Sequence, residues 1–170
     1  MKETHFVKKT VDFSKNLHID FVKKMVVFDT LDSTNSMAKD LAVADAEEGT
    51  IAIARIQKHG RGRFDRVWQS PEGGMYLSLI LRPKISIEKI SLLPFVAGLA
   101  VAKTMDSFGL HTTIKWPNDV LANGKKIAGI LLESEVEGPI VRYVVVGIGM
   151  NLNIDMKVLS ADIQPRSTSL

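Results

Sequence analysis

The sequence predicts an α+β domain built on a mixed, largely antiparallel sheet with helices on one face. Three observations carry this: an Asn123-Gly124 pair between two β-type runs, short apolar stretches bounded by turn residues, and two early stretches with apolar residues at helical spacing. Asn-Gly is the strongest short hairpin signal, because a type I′ turn needs positive φ at both central residues. A chain of 170 residues supplies one buried core and is too short for two ordinary domains.

Residues Met1 to Lys24 form a lysine-rich N-terminal extension, suited to a short surface helix or strand and too short for a separate DNA-binding domain. Residues 25–170 are read as the single domain. Met25 to Phe28 is an apolar strand, after which Asp32, Ser33 and Thr34 offer caps to a helix with apolar positions Met37, Leu41 and Ala44, ended by Gly49. Thr50 to Ile56 has apolar residues on both faces, as a central strand would, and leads into the segment Gln57–Trp68.

Met75 to Arg82 is a further strand, followed by a helix from near Ser86 or Ser91 to Phe108, with Leu93, Ala97, Val101, Met105 and Phe108 inward and Gly109 as its stop. Then come His111 to Lys115, a Trp-Pro interruption, Val120 to Ala122, the Asn-Gly turn and Lys126 to Glu133. A two-residue turn pairs Ala122 with Lys125 and Leu121 with Lys126, placing Asp119 opposite Ala128 and on one face with Lys126. Taken alone, that pair reads as an ordinary surface salt bridge. Glu137, Gly138 and Pro139 turn the chain into a last apolar strand, Ile140 to Val146.

Composition narrows the function. With 45% hydrophobic and 24% charged residues of both signs, the chain is of the soluble globular type, and its longest apolar run, Leu92 to Ala102, falls well short of the roughly 20 residues that cross a bilayer. The expected location is cytoplasmic, since no signal sequence is seen, and the absence of cysteine removes disulfides and thiolate chemistry. A formal charge of +3 favours a local anion site over a surface coated for DNA.

That local site is legible in QKHGRGRFDRVW, Gln57 to Trp68, where Lys58, Arg61, Arg63 and Arg66 sit among two glycines. It reads as a flexible cationic loop: glycines let backbone N–H groups approach a ligand, guanidinium forks bind phosphate or carboxylate oxygens, and Trp68 offers a face for a flat ring. A solvated basic loop or nucleic-acid contact would read the same way. Other chemistries fail: Gly147-Ile148-Gly149 is followed by Leu152, so the dinucleotide fingerprint is incomplete; no phosphate-loop motif occurs; the four histidines lack metal-ligand spacing.

Taken in order, Asp32-Ser33-Thr34-Asn35, Gly60-Arg61-Gly62-Arg63, Trp68-x-Ser70-Pro71, Tyr76-Leu77-Ser78, Lys115-Trp116-Pro117-Asn118-Asp119, Lys126-Ile127-Ala128-Gly129-Ile130-Leu131 and Gly147-Ile148-Gly149-Met150-Asn151 resemble the catalytic domain of the biotin–protein ligases, from about Val26 to Leu170. The resemblance implies the fold shared with class II aminoacyl-tRNA synthetases. It also implies MgATP-dependent activation of biotin to biotinyl-5′-AMP, followed by transfer to one lysine of a biotin carboxyl carrier protein.

By the same resemblance Ser33, Thr34, Asn35, Gln57, Gly60, Arg61, Gly62 and Gly129 line the biotin site, and Arg63, Lys126 and Lys115 are the catalytic cations. Arg61, Arg63, Trp68, Lys115, Asn118 and Asn151 are assigned to ATP and the adenylate, with Trp68 at or near adenine, and Asp119 to Mg²⁺. Arg63 and Lys126 are shared with biotin. A homodimer is compatible with the family, and binding to DNA or a membrane is not expected.

Two departures stand out. Phe64-Asp65 replaces the family's frequent Arg-Gly, and the family's small C-terminal β-barrel does not follow Leu170, where Ser167-Thr168-Ser169 reads as a helix cap with no helix after it. Rival readings are lipoate or octanoate–protein ligase-like transfer, whose transferases need the cysteine this chain lacks, and a nucleic-acid clamp built on the Arg/Gly loop.

Overall fold

One eight-stranded sheet runs in the order β1-β2-β3-β4-β8-β7-β6-β5 in a computed structural model, which describes residues 7–11 and 21–170. The strands are β1 (Val7–Val11), β2 (Lys24–Leu31), β3 (Thr50–Gln57), β4 (Gly74–Leu81), β5 (Thr112–Lys115), β6 (Asp119–Ala122), β7 (Lys125–Glu137) and β8 (Ile140–Asn151). Among the described strands only β2 and β3 pair in parallel, so the sheet is mixed and mostly antiparallel. That parallel step needs a crossover, which α1 (Thr34–Val43) supplies. β1 lies within the stretch expected as an extension and adds an edge strand to the sheet.

The helices do not share one face, contrary to the expectation from sequence. Tyr143 and Val145 of β8 pack in the cluster beneath α1, with Phe28, Leu31, Ala38 and Ile80. Val144, Val146 and Met150 pack in a second cluster beneath α2 (Ile87–Ile90) and α3 (Leu93–Ser107), with Val101, Met105 and Ile130. Alternate residues of a strand point to opposite faces, so the run Tyr143–Val146 is buried on both because a layer of helix covers each. Hairpin counting cannot show this.

Other differences are local. Helix α1 meets the sheet through Thr34, Asn35, Ala38 and Ala42, with Met37 and Leu41 only partly buried and Ala44 exposed. Small side chains let the helix sit close. The helix ends at Val43; Gly49 instead opens β3 at φ +85°, where a Cβ would lie 2.0 Å from the Phe21 carbonyl oxygen. Between α2 and α3 the chain breaks at Ser91-Leu92, and Phe108 caps α3 in the open, 67% exposed, instead of facing inward. The stretch Ile87–Ser107 is long and apolar enough by length and composition to cross a membrane, yet Ile90, Val101, Ala102 and Met105 are committed to the sheet.

The Asn123-Gly124 turn forms as expected, with φ +50° and +76°. Ala122 pairs with Lys125 and Leu121 with Lys126, but then the register slips: Val120 pairs with Ala128 and Asp119 with Gly129. Ile127 is the extra residue of a β-bulge, and it is fully buried beside Ala128. Asp119 therefore faces Gly129 and not Ala128.

Candidate active site

A pocket of about 570 Å³ opens on the α1 face of the sheet over β8 and β7. Its floor is made of glycines because larger bodies lie flat on it. A Cβ on Gly147 would come 2.0 Å from Asn35 Oδ1; one on Gly149 would come 2.6 Å from Trp68 Nε1; one on Gly129 would come 2.9 Å from Trp68 Cζ3. The three positions share a face because Gly129 pairs with Gly149, and Gly147 with Leu131 two residues on.

Neutral hydrogen-bonding groups crowd the Asn35 end. Ser33 stands at the N-cap of α1 with extended backbone and makes no side-chain cap bond, leaving its hydroxyl to the pocket it lines. The Gln57 carbonyl oxygen accepts from Thr34 N at 2.8 Å and Thr34 Oγ1 at 3.1 Å, while its Nε2 donates to Ser70 Oγ at 2.8 Å. Ser78 Oγ lies 2.8 Å from Thr34 Oγ1 and 2.6 Å from Asn35 Oδ1, and its single proton serves one of them at a time. Gly60 sits under this layer, where a Cβ would be 2.3 Å from the Trp68 carbonyl oxygen and 2.5 Å from Ser70 Oγ.

The loop is more ordered in pattern than its composition suggests. Trp68 N donates to Gly60 O at 2.9 Å, Gly62 N to Arg66 O at 2.7 Å, and Arg61 bridges to Val67, so residues 60–68 form a hairpin-like arch. At its tip Phe64 and Asp65 both hold positive φ, +54° and +56°, and the Arg63 guanidinium lies 4.8 Å from the Phe64 ring centroid. Arg61 Nη2 reaches Glu133 Oε2 at 2.7 Å.

Cations gather at the other end. Lys126 Nζ lies 2.6 Å from Asp119 Oδ1 and 5.0 Å from the Trp68 ring centroid. The Asp119 contact is coulombic, its angle falling outside hydrogen-bond geometry. Arg63, Arg66 and Lys115 also line the pocket and meet no carboxylate among the described residues, so positive charge there is left for an incoming anion. Asn118 Nδ2 donates to Ile130 O at 2.8 Å and Ile130 N to Asn118 O at 2.9 Å, pinning the Trp116–Pro117 bend, whose peptide is cis, to β7.

Every residue that sequence assigned to the site lines this pocket except Gly60, which supports it from behind. Asn118 and Asn151 spend their amide donors on backbone carbonyls, Asn151 Nδ2 on Thr168 O at 3.0 Å. The stretch expected as an idle helix cap is strand-like: Ser167 bridges to Lys126, Thr168 N donates to Lys126 O at 2.9 Å and Leu170 N to Asn151 O at 3.2 Å. Its neighbours Leu159, Ile163 and Arg166 line the pocket too, and nothing in their local sequence signals it.

Sequence reasoning quoted Ser70 and Ser78 in its motifs without giving them a site role, and passed over Glu133. The signal for Glu133 was strand parity, since it shares a β7 face with Gly129 and Leu131. Its carboxyl is pushed up by burial, but the Asn35 amide, Lys39 and Arg61 outweigh that and hold it below the ordinary glutamate value.

No group of three acidic, histidine or cysteine side chains gathers among the described residues, and Asp119 is the pocket's single carboxylate. That set suits an ion arriving with nucleotide phosphates, since Mg²⁺ takes one or two carboxylates and keeps several waters.

Residues 27–151 match the model of the Biotin/lipoate A/B protein ligase family, and the chain belongs to that family. Its relatives are more particular. The bifunctional ligase/repressor BirA of Bacillus subtilis is 44% identical over 86% of this chain and 46% of its own length, and the biotin–[acetyl-CoA-carboxylase] ligase of Paracoccus denitrificans 46% identical over 71% and 51%. The chain thus spans about half the length of the curated relatives it matches. The biotin protein ligase of Aquifex aeolicus in complex with biotin and ATP superposes with a TM-score of 0.71 at 34% identity, covering 85% of this chain and 58% of that one. The Leishmania major ligase with biotinyl-5-AMP gives 0.66 at 27%, covering 85% and 62%.

Proposed function

We propose that this domain activates biotin with ATP to biotinyl-5′-AMP and passes the biotinyl group to a lysine of a biotin carboxyl carrier protein. The observation that carries this is the polarity of the pocket: neutral donors and acceptors at Ser33, Thr34, Asn35 and Gln57, a flat glycine floor, then Lys126 with Arg63 and Lys115, which meet no carboxylate among the described residues. A ureido ring fits the first part and a carboxylate with phosphates the last.

In the first step a biotin carboxylate oxygen attacks the α-phosphorus of ATP, and the bond to pyrophosphate breaks. Negative charge grows on phosphoryl oxygens, so fixed cations lower the barrier and no acid/base pair is needed. Lys126 is aimed by Asp119 on one side and the Trp68 face on the other. Mg²⁺ arriving with the nucleotide would be held by Asp119 together with Asn118 or Asn151 and would supply further charge neutralisation. In the second step the carrier lysine's neutral amine attacks the acyl carbon, AMP leaves with the bonding pair, and the amine loses its proton.

The biotin and biotinyl-5-AMP held by the Aquifex aeolicus and Leishmania major ligases support biotin over lipoate or octanoate, and the absence of cysteine removes the transferase route. Biotin-dependent exchange of labelled pyrophosphate into ATP tests the reading. Exchange with biotin and none with octanoate or lipoate is expected; the reverse preference would overturn it.

A further inference from the structure

We propose that Glu133 is a positioning residue that couples the neutral floor of the pocket to the cationic arch, and that retention of the adenylate depends on its charge. The inference rests on the reading of the pocket as a biotin-adenylating site.

Three donors from two elements, α1 and the arch, converge on this one carboxylate. Asn35 Nδ2, from the first turn of α1, donates to Oε2 at 2.9 Å; Arg61 Nη2, from the arch, donates to the same oxygen at 2.7 Å; Lys39 Nζ, one helical turn after Asn35, donates to Oε1 at 2.9 Å. Glu133 itself is on β7, opposite Val145, with a side chain only 22% exposed. A carboxylate this sheltered requires its donors, and each donor in turn has its rotamer set by it.

Asn35 Oδ1 is the atom pressed on Gly147 and bonded by Ser78, so the amide is held at both ends: oxygen to Ser78, nitrogen to Glu133. Arg61 enters the arch one residue after Gly60, whose carbonyl receives Trp68 N. Fixing the Arg61 side chain to the sheet therefore fixes the near limb of the arch, leaving Arg63 at its tip to face the pocket. Glu133 is not part of the wall of this pocket; it lies behind Arg61 and lines, with the arch, an adjoining cavity of about 540 Å³. Its effect is exerted through Asn35 and Arg61.

Neutralising Glu133 leaves Arg61 without its anchor and Asn35 free to turn. The arch then opens more readily and the mixed anhydride escapes. Biotin binding weakens, while the phosphoryl chemistry at Lys126, on the far side of Trp68, keeps its groups in place.

The test uses the full chain and the isosteric Glu133→Gln variant, with Arg61→Ala and the double variant. Thermal unfolding confirms folding of each. Biotinyl-5′-AMP formation is timed in a single turnover, its release by trapping, and the KM for biotin by initial rates. Glu133→Gln is expected to speed release about 10-fold and raise KM for biotin, with the single-turnover rate within about threefold of the parent. The double variant should release no faster than Arg61→Ala alone, because both act through one contact. Release and KM unchanged in a folded Glu133→Gln, or additive effects in the double variant, overturn the proposal. A parent chain that makes no adenylate from biotin and MgATP overturns the underlying reading, and the proposal with it.

Discussion

Lys126 Nζ stands 2.6 Å from Asp119 Oδ1 across a β-bulge. The bulge matters because Lys126 and Gly129 are an odd number of residues apart and in a regular strand would face opposite sides of the sheet. Ile127 takes up the extra position inside the core, so the lysine and the glycine floor share the pocket. Changing Lys126 to Ala should leave the fold intact and slow adenylate formation roughly 100-fold, the usual cost of losing one charge-stabilising donor. Near-normal adenylate formation in the folded variant would show that another cation does this work.

Arg63 faces the pocket without a carboxylate partner among the described residues and rests on Phe64. Arg63→Ala should let biotinyl-5′-AMP leave about 10-fold faster, a loss of roughly 1.4 kcal/mol of holding energy, and escaped adenylate should label lysines of a bystander protein. Mass spectrometry of those lysines checks it. A variant that makes adenylate yet labels no more than the parent would remove Arg63 from the clamp.

The floor admits no methyl group. Gly149→Ala should displace Trp68 from the sheet, since its Cβ would lie 2.6 Å from Nε1 and 2.7 Å from Cε2. Calorimetry should find biotin affinity reduced at least about 10-fold, on the order of 1.4 kcal/mol. Unaltered affinity would mean that Trp68 is not part of the site's resting shape.

Asp65 holds φ +56° without being glycine. Asp65→Gly should relieve that strain and raise stability by about 0.5–1 kcal/mol, read by denaturant unfolding. A loss of stability would place the strain elsewhere in the arch.

Glu133 has its acidity strengthened in the folded state by Asn35, Lys39 and Arg61 against the opposing pull of burial. A depressed carboxyl pKa contributes stability above the ordinary glutamate value, and that contribution is lost as pH falls through the folded value. The stability gap between the parent and Glu133→Gln should therefore be wider at neutral pH than at pH well below 4.5, the ordinary value. Urea unfolding at the two pH values measures it. A gap that does not narrow in acid would contradict the assigned contacts.

Much of this was legible in the sequence because local chemistry was unambiguous. Asn123-Gly124 can only turn tightly, and the apolar run Ile140 to Val146 reads as a strand, although its burial on both faces does not follow from that run alone. The polar site residues were legible through their motifs. What escaped depended on distant partners: the bulge at Ile127 is set by the sheet register, the placement of α1 and α3 on opposite faces by the crossover, and Glu133 by donors 98, 94 and 72 residues away. The docking of Ser167 to Leu170 beside Lys126 and Asn151 is likewise a matter of tertiary pairing.

On the proposed reading, this pocket makes a mixed anhydride of biotin and AMP. The most direct measurement is mass spectrometry of the chain after incubation with biotin and MgATP, with and without a biotin-carrier domain. Biotinyl-5′-AMP should accumulate on the protein without the carrier and give way to one biotinylated carrier lysine when it is added. Biotin bound without any adenylate, in a chain shown to be folded, would contradict it.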